Sequence, residues 1–196
     1  MIIDIYGCLS KVYLLNNQLK ITVCLGDIVR QDDCDVIVSS SNMDMSESLG
    51  VCGAIHRATG TELEEFTSKL PHLKVGDAVL TPGFRLKQSA IIHVCGPSYH
   101  FDPEPESYLS LVVENSLRLV NDANLKRIAF PAISMGIFAF PPEKGIPIMV
   151  SAVVAMIAEI SNLQEVRFVV ISQKLMDIFD SEIKARFSKW DKACWT

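Results

Sequence analysis

No stretch of this chain reaches the roughly 18 to 20 consecutive apolar residues of a membrane-spanning helix. Its start, MIIDIYGCLSKVY, lacks a basic segment followed by an apolar one. A soluble, unsecreted protein with a cytoplasmic location and no membrane partner is therefore expected. Basic residues are in the minority too: 18 Lys and Arg stand against 23 Asp and Glu, a net charge of −5, and no basic stripe forms. Nonspecific binding to DNA or RNA is disfavoured on that ground. The six cysteines (Cys8, Cys24, Cys34, Cys52, Cys95 and Cys194) show no CxxC spacing. Buried thiols in a reducing compartment are the natural reading, with no metal site and no cofactor expected. Neither G-x-G-x-x-G nor G-x-x-x-x-G-K-[ST] occurs, which sets aside a dinucleotide-binding Rossmann domain and a P-loop nucleotidase.

What is present is enough apolar content, 49% of 196 residues, for one well-buried core, so a single domain over residues 1–196 is expected. Strand-like runs lie at Leu19 to Leu25, Asp35 to Ser39, Asp77 to Thr81, Ala90 to Cys95, Arg127 to Pro131 and Val166 to Ile171. Most are continuous and β-branched, as in strands covered on both faces. Ile2 to Tyr6 and Lys11 to Leu15 add edge strands within the first 19 residues. Helical patterns fall between them at Gly53 to Lys69, Glu104 to Asn121, about Ile146 to Ile160 and Lys174 to Trp190. Thr61 with Glu64 fits a capping box inside the first helix. Pro147 would break a helix begun at Pro142, which places that start near Ile146. Residues 186–196 form a tail in which Trp190 and Trp195 are expected to dock partly on the domain. Strands alternating with helices imply a three-layer α/β domain, whose ligands bind at the carboxyl ends of the strands.

Two loops leave strands at such ends. Phe130 to Pro142 reads FPAISMGIFAFPP, an apolar run entering a Gly-containing loop that stops at a proline pair. Upstream, Val36 to Val38 leads through Ser39, Ser40, Ser41 and Asn42 to Gly50, Val51, Cys52 and Gly53. Loops of this kind present N–H groups to phosphate without cationic side chains, and two of them suggest a nucleotide diphosphate.

In order, the chain carries Gly26-Asp27-Ile28, Asp35-Val36-Ile37-Val38 ending at Asn42, and Gly50-Val51-Cys52-Gly53-Ala54-Ile55-His56-Arg57-Ala58-Thr59-Gly60. Then come Gly76-Asp77-Ala78 to Thr81-Pro82-Gly83, Ile92-His93-Val94-Cys95-Gly96-Pro97 and the FPAISMGIFAFPP loop. This ordered set, over about residues 20 to 185, closely resembles the macrodomain family, nearest in motif order to its MacroD-type branch. Family members bind ADP-ribose, and some branches hydrolyse ADP-ribose linkages. The resemblance implies an α/β/α macrodomain with a mixed, largely parallel central sheet. It implies that Asp27 reads adenine, that Ile28 contributes backbone, and that Asn42 contacts the distal ribose. A turn-forming Asp27 and a loop-capping Asn42 are the bland alternatives. Gly50, Val51 and Gly53 would let the backbone approach a pyrophosphate, a Cβ on either glycine crowding it. Ser134, Met135, Gly136, Ile137 and Phe138 would close over the other side, with Phe138 as an aromatic lid and Phe140 in the core. Ile171 stands where some members hold the base with an aromatic.

The reacting half departs from the family. Hydrolytic MacroD-type members carry Gly-Val-Asp-Gly, and here the aspartate position is Cys52, with His56 retained four residues on. A thiol with an ordinary pKa of about 8.5 is mostly protonated at neutral pH and is no base unless activated. The glycine run before Gly50 is replaced by Glu47, Ser48 and Leu49, NAAN by Ser39-Ser40-Ser41-Asn42, and a glycine by Ala139. Asn42 and His56 are the remaining catalytic candidates, with Asp44 or Glu47 as displaced carboxylates. The expectation is a monomer that binds free or protein-linked ADP-ribose, with slow hydrolysis at most. A mono-ADP-ribosyl-protein hydrolase or O-acetyl-ADP-ribose deacetylase is the alternative, and a ligand-free interaction domain the third reading. His72 and His100 are expected to be solvated, and His93 to be a satisfied core histidine.

Overall fold

Runs such as Val36-Ile37-Val38 send alternate side chains to opposite faces, so burying them takes an apolar layer on each side. The computed structural model, which describes residues 2–3, 9–15 and 19–193, supplies both layers. Its elements are β1 (Ile2–Ile3), β2 (Leu9–Leu15), β3 (Leu19–Leu25), a 3-10 turn (Ile28–Arg30), β4 (Val36–Ser41), α1 (Gly50–Thr59) and α2 (Thr61–Thr67). They continue with β5 (Ala78–Pro82), β6 (Ala90–Cys95), α3 (Pro105–Asp122), β7 (Arg127–Phe130), α4 (Pro142–Met156), β8 (Glu165–Val170) and α5 (Gln173–Ala193). One eight-stranded sheet runs β1-β2-β3-β8-β7-β4-β6-β5. The five strands from β3 to β6 are mutually parallel, and the outer pairings are antiparallel. On one face Val36, Val38, Ile128, Phe130, Val166 and Phe168 pack against α3, α4 and α5. On the other, Ile37, Ile91, Ala129 and Val169 meet Ile55 of α1 and Leu63 of α2. The α/β/α layering with a largely parallel sheet is the fold anticipated.

Three local expectations are corrected. The first helical pattern is two helices, because Gly60 at φ +80° ends α1 and serves as the N-cap of α2. Thr61 then lies inside the helix, no side-chain cap forms, and Glu64 faces His56 Nδ1 at 3.6 Å. Second, the helix before β8 starts at Pro142 with Pro147 inside it. Burial of Gly145, Ile146, Met149 and Val150 holds that face in place and overrides the local penalty of proline. Third, α1 begins at Gly50, so Gly50 to Gly53 form its first turn. Residues 4–6 of the first edge strand, and Trp195, lie outside the described residues. Four cysteines, Cys24, Cys34, Cys52 and Cys95, are buried free thiols. No described helix is long and apolar enough to cross a membrane.

Candidate functional site

Parallel strands end on one side of the sheet, so the segments after β3, β8, β7, β4 and β6 emerge side by side. Each sequence-predicted site residue lies in these segments or in the first turns of α1. Asp27 follows β3, exposed; its Oδ1 accepts the Val29 N–H at 3.1 Å and caps the 3-10 turn. Ile28 is 5% exposed and packs with Ile55 and Val169. Ile171, one residue past β8, is 86% exposed.

After β4, Asn42 and Ser46 clasp each other. Asn42 Nδ2 donates to Ser46 Oγ at 3.1 Å, and Asn42 Oδ1 accepts the Ser46 N–H at 3.1 Å. The clasp folds the loop back so that the Ser46 carbonyl accepts from Cys52 Sγ at 3.3 Å, while Ser41 Oγ lies 3.6 Å from the same sulfur. Cys52 is fully buried. Burial pushes its thiol up, but hydrogen bonds from His56, Ser48 and Ser41 and the His56 charge outweigh this and leave it below its ordinary value. His56 moves the opposite way, raised chiefly by its hydrogen bond with Cys52 against burial, with the Cys52 and Glu64 charges and the Met45 carbonyl adding to it. His56 Nε2 lies 3.1 Å from that carbonyl.

The two glycines of this turn differ in what surrounds them. A Cβ on Gly53 would lie 2.0 Å from the Ser48 carbonyl oxygen, so Gly53 is required by the chain's own loop. Gly50 has φ +69° with open space around a built Cβ. N–H groups of Gly50, Val51 and Cys52 stand in the first turn, where a helix offers no carbonyl partner, and Leu49 at the N-cap brings no side-chain acceptor.

The loop after β7 is a tight reversal. Ser134 (φ +63°) and Ala139 (φ +54°) both adopt left-handed backbone. The Ser134 carbonyl accepts the Phe140 N–H at 3.0 Å, and the Gly136 carbonyl accepts the Ala139 N–H at 2.9 Å. Phe140 is 1% exposed and packs on Tyr99, in the core as anticipated. Met135 and Phe138 are half-buried, whereas Gly136 and Ile137 are exposed, and a Cβ on Gly136 would meet nothing within 4 Å. Among the described residues, the N–H groups of Gly136, Ile137 and Phe138 make no hydrogen bond. The buried Ser134 Oγ is also unpartnered.

The displaced-carboxylate candidates are engaged elsewhere: Asp44 pairs with His72 Nδ1 at 2.5 Å, and Glu47 with Arg57 at 3.6 Å. His72 is exposed but paired, while His100 is exposed. His93 is buried but only half satisfied, because Nε2 meets Thr81 Oγ1 at 3.1 Å and Nδ1 has no partner. Burial lowers it to about 3, with the His56 charge adding to the effect. No group of three or more His, Cys, Asp or Glu among the described residues is arranged to hold a metal ion. A groove of about 820 Å³ between α4 and α5 contains none of the loop residues.

Sequence reasoning missed four supporting residues. A Cβ on Gly96 would lie 2.4 Å from Ser134 Oγ, so Gly96 lets the strand end approach the second loop. Tyr99 donates its N–H to the Phe138 carbonyl at 3.0 Å. Gln31 and Arg167 sit beneath Asp27; an arginine inside the apolar run VRFVV was the available signal.

Comparison with known proteins matches this geometry to a family. Residues 38–149 fit the family model described as Macro domain. An O-acetyl-ADP-ribose deacetylase of Klebsiella pneumoniae is 36% identical over 162 residues, covering 80% of this chain and 92% of that protein. The Oceanobacillus iheyensis macrodomain solved with ADP has a TM-score of 0.88 at 28% identity, covering 93% of this chain and 98% of that one. A glycine-to-valine mutant of that macrodomain solved with ADPR gives 0.87 at 28% identity, covering 92% and 100%. With a family match over more than half its length and a relative aligned along nearly all of its own, this chain belongs to the macrodomain family.

Proposed function

We propose that this chain binds ADP-ribose, free or attached to a protein, with the pyrophosphate held by main-chain N–H groups. One observation carries the reading: the uncapped first turn of α1 and the unpartnered N–H groups of Gly136, Ile137 and Phe138 follow adjacent paired strands, β4 and β7. Hydrogen bonds to a charged acceptor contribute about 1.5 to 3 kcal/mol each, so a few amides retain a dianion on an acidic protein. In this reading Asp27 takes the adenine amine, Ile28 adds main chain, Ile171 gives the base apolar contact, Asn42 meets the distal ribose and Phe138 covers it. The protein acts as a cytoplasmic monomer of one domain. Calorimetry with ADP-ribose tests the reading, with a Kd on the order of 1 to 100 μM as the expected result. Absence of heat and of any melting shift at millimolar ligand favours the ligand-free interaction domain instead.

A second reading, removal of ADP-ribose from acidic side chains or of acetyl from O-acetyl-ADP-ribose, draws support from the acidified Cys52 beside His56. Complete burial of that thiol behind Ser41 and Ser46 favours binding over turnover. Release of ADP-ribose from a mono-ADP-ribosylated protein separates the two. Little release by the native chain and a gain in Cys52→Asp is the result expected of a reader that has lost the carboxylate; rapid release by the native chain establishes the enzyme.

A further inference from the structure

We infer that Gln31 and Arg167 are positioning residues for adenine selection, holding Asp27 in place from beneath the cleft; the inference rests on the ADP-ribose reading. Arg167, on β8, is 5% exposed and lies on the α1 side of the sheet. Its guanidinium forms a fork with Asp33, both contacts 2.7 Å, and its Nε donates to Glu165 at 3.0 Å. Glu165 is held in turn by Thr22 Oγ1 at 2.8 Å and Lys20 Nζ at 3.1 Å. Arg127 also stands 3.9 Å from Asp33, so the buried Arg167 and Glu165 sit in a network in which both carboxylates are paired with cations and which opens to solvent at Lys20 and Asp33. Such networks add little stability, since desolvation consumes most of the attraction, and their better-attested use is to fix geometry.

The geometry fixed here is that of Asp27. Arg167 Nη1 also donates to Gln31 Oε1 at 2.9 Å, which orients the buried carboxamide so that Gln31 Nε2 donates to the Asp27 carbonyl at 2.8 Å. The same carbonyl accepts the Arg30 N–H at 3.2 Å, and the Asp27 carboxylate is anchored on Val29 N–H at 3.1 Å. Asp27 is thereby pinned at its main chain by Gln31 and at its side chain by the turn. Without Gln31 the turn keeps its own hydrogen bonds and Gly26 keeps its N–H on the Val170 carbonyl at 2.9 Å, but the Asp27 carbonyl loses the side-chain donor that Arg167 orients. An exposed carboxylate selects a base by a single hydrogen bond to an exocyclic amine, and such a bond is sensitive to small displacements.

The test compares ADP-ribose with its hypoxanthine analogue, which lacks the exocyclic amine, by calorimetry on the native chain and on Gln31→Met. The native chain is expected to prefer adenine by about tenfold. Gln31→Met should cut the preference to about twofold while binding the hypoxanthine analogue almost as well as the native chain does. Arg167→Lys keeps the charge between Asp33 and Glu165 but gives up the arm to Gln31; it should show a partial loss of preference and serves if Gln31→Met does not fold. An unchanged preference in the variants, or an equal fall in affinity for both ligands, overturns the inference. Native protein that binds neither ligand overturns the ADP-ribose reading itself, and one that binds both equally overturns only the role given to Asp27 and its supports.

Discussion

Gly136 and Gly53 belong to the two loops proposed to hold the pyrophosphate, yet a side chain would have opposite consequences at each. At Gly136 a new Cβ meets open space, so Gly136→Glu should fold with an unchanged Tm and lose ADP-ribose binding through bulk and negative charge at the phosphates. At Gly53 the new Cβ runs into the Ser48 carbonyl, and Gly53→Ala should cost about 1 to 3 kcal/mol of stability in denaturant unfolding. Retained binding in the first variant, or native stability in the second, contradicts these assignments. Glycine spacing showed in the sequence where the chain must come close to something. It did not show whether that neighbour was a ligand or another part of the chain, because the answer for Gly53 depends on the fold-back made by the Asn42–Ser46 clasp. Cys52 has the same lesson: its identity was plain, but its burial and its lowered pKa come from Ser41, Ser48 and His56 arranged around it.

Among the elements, the strands were the most legible. The six runs from Leu19 onward became strands with their starts shifted by no more than a residue, most of them segments buried on both faces that leave little choice of period. The edge strand expected from Lys11, by contrast, begins at Leu9. Helix boundaries were less so, because they depend on competition between local preference and packing. Pro147 lacks an N–H for the Glu143 carbonyl, and its own carbonyl is shared by Ser151 Oγ at 2.7 Å and Arg186 Nη2 at 3.3 Å, yet α4 continues through it. Pro147→Ala should therefore stabilise the protein by about 1 to 2 kcal/mol, the restored hydrogen bond and relieved crowding exceeding the added freedom of the unfolded chain. A rise in Tm of about 2 to 8 °C is the expected reading. A fall would mean that the proline is needed for the packing of α4 against α5.

For the molecule as a whole, buried titratable groups set how the fold responds to acid. Burial pushes Asp180 up, but hydrogen bonds from Tyr13, Lys11 and Lys184 outweigh it and hold the carboxyl at about 2. Asp33 is lowered chiefly by its hydrogen bonds from Arg167, and Glu165 by Arg167, Thr22 and Lys20 against burial. These carboxylates stabilise the fold fully above the ordinary value of about 4, and that contribution is lost as pH falls through their lowered values. His93, held neutral down to about 3, adds a loss that begins below its ordinary value of about 6.5. His56 is raised, so its contribution is full at low pH and is lost as pH rises through its folded value. Tm should fall as pH drops from about 6 to about 2, and His93→Gln should flatten the upper part of that fall. This network escaped the sequence because its members, Thr22, Gln31, Asp33, Glu165 and Arg167, come from three separated segments that only the sheet brings together. The proposed pyrophosphate site has the same origin, in loops distant along the chain that leave the adjacent strands β4 and β7. A crystal of the protein soaked with ADP-ribose tests it most directly. The pyrophosphate oxygens should lie about 2.7 to 3.2 Å from the N–H nitrogens of the first turn of α1 and of Gly136 to Phe138. A pyrophosphate bound elsewhere, or held by lysine and arginine side chains while those amides face solvent, would contradict the account.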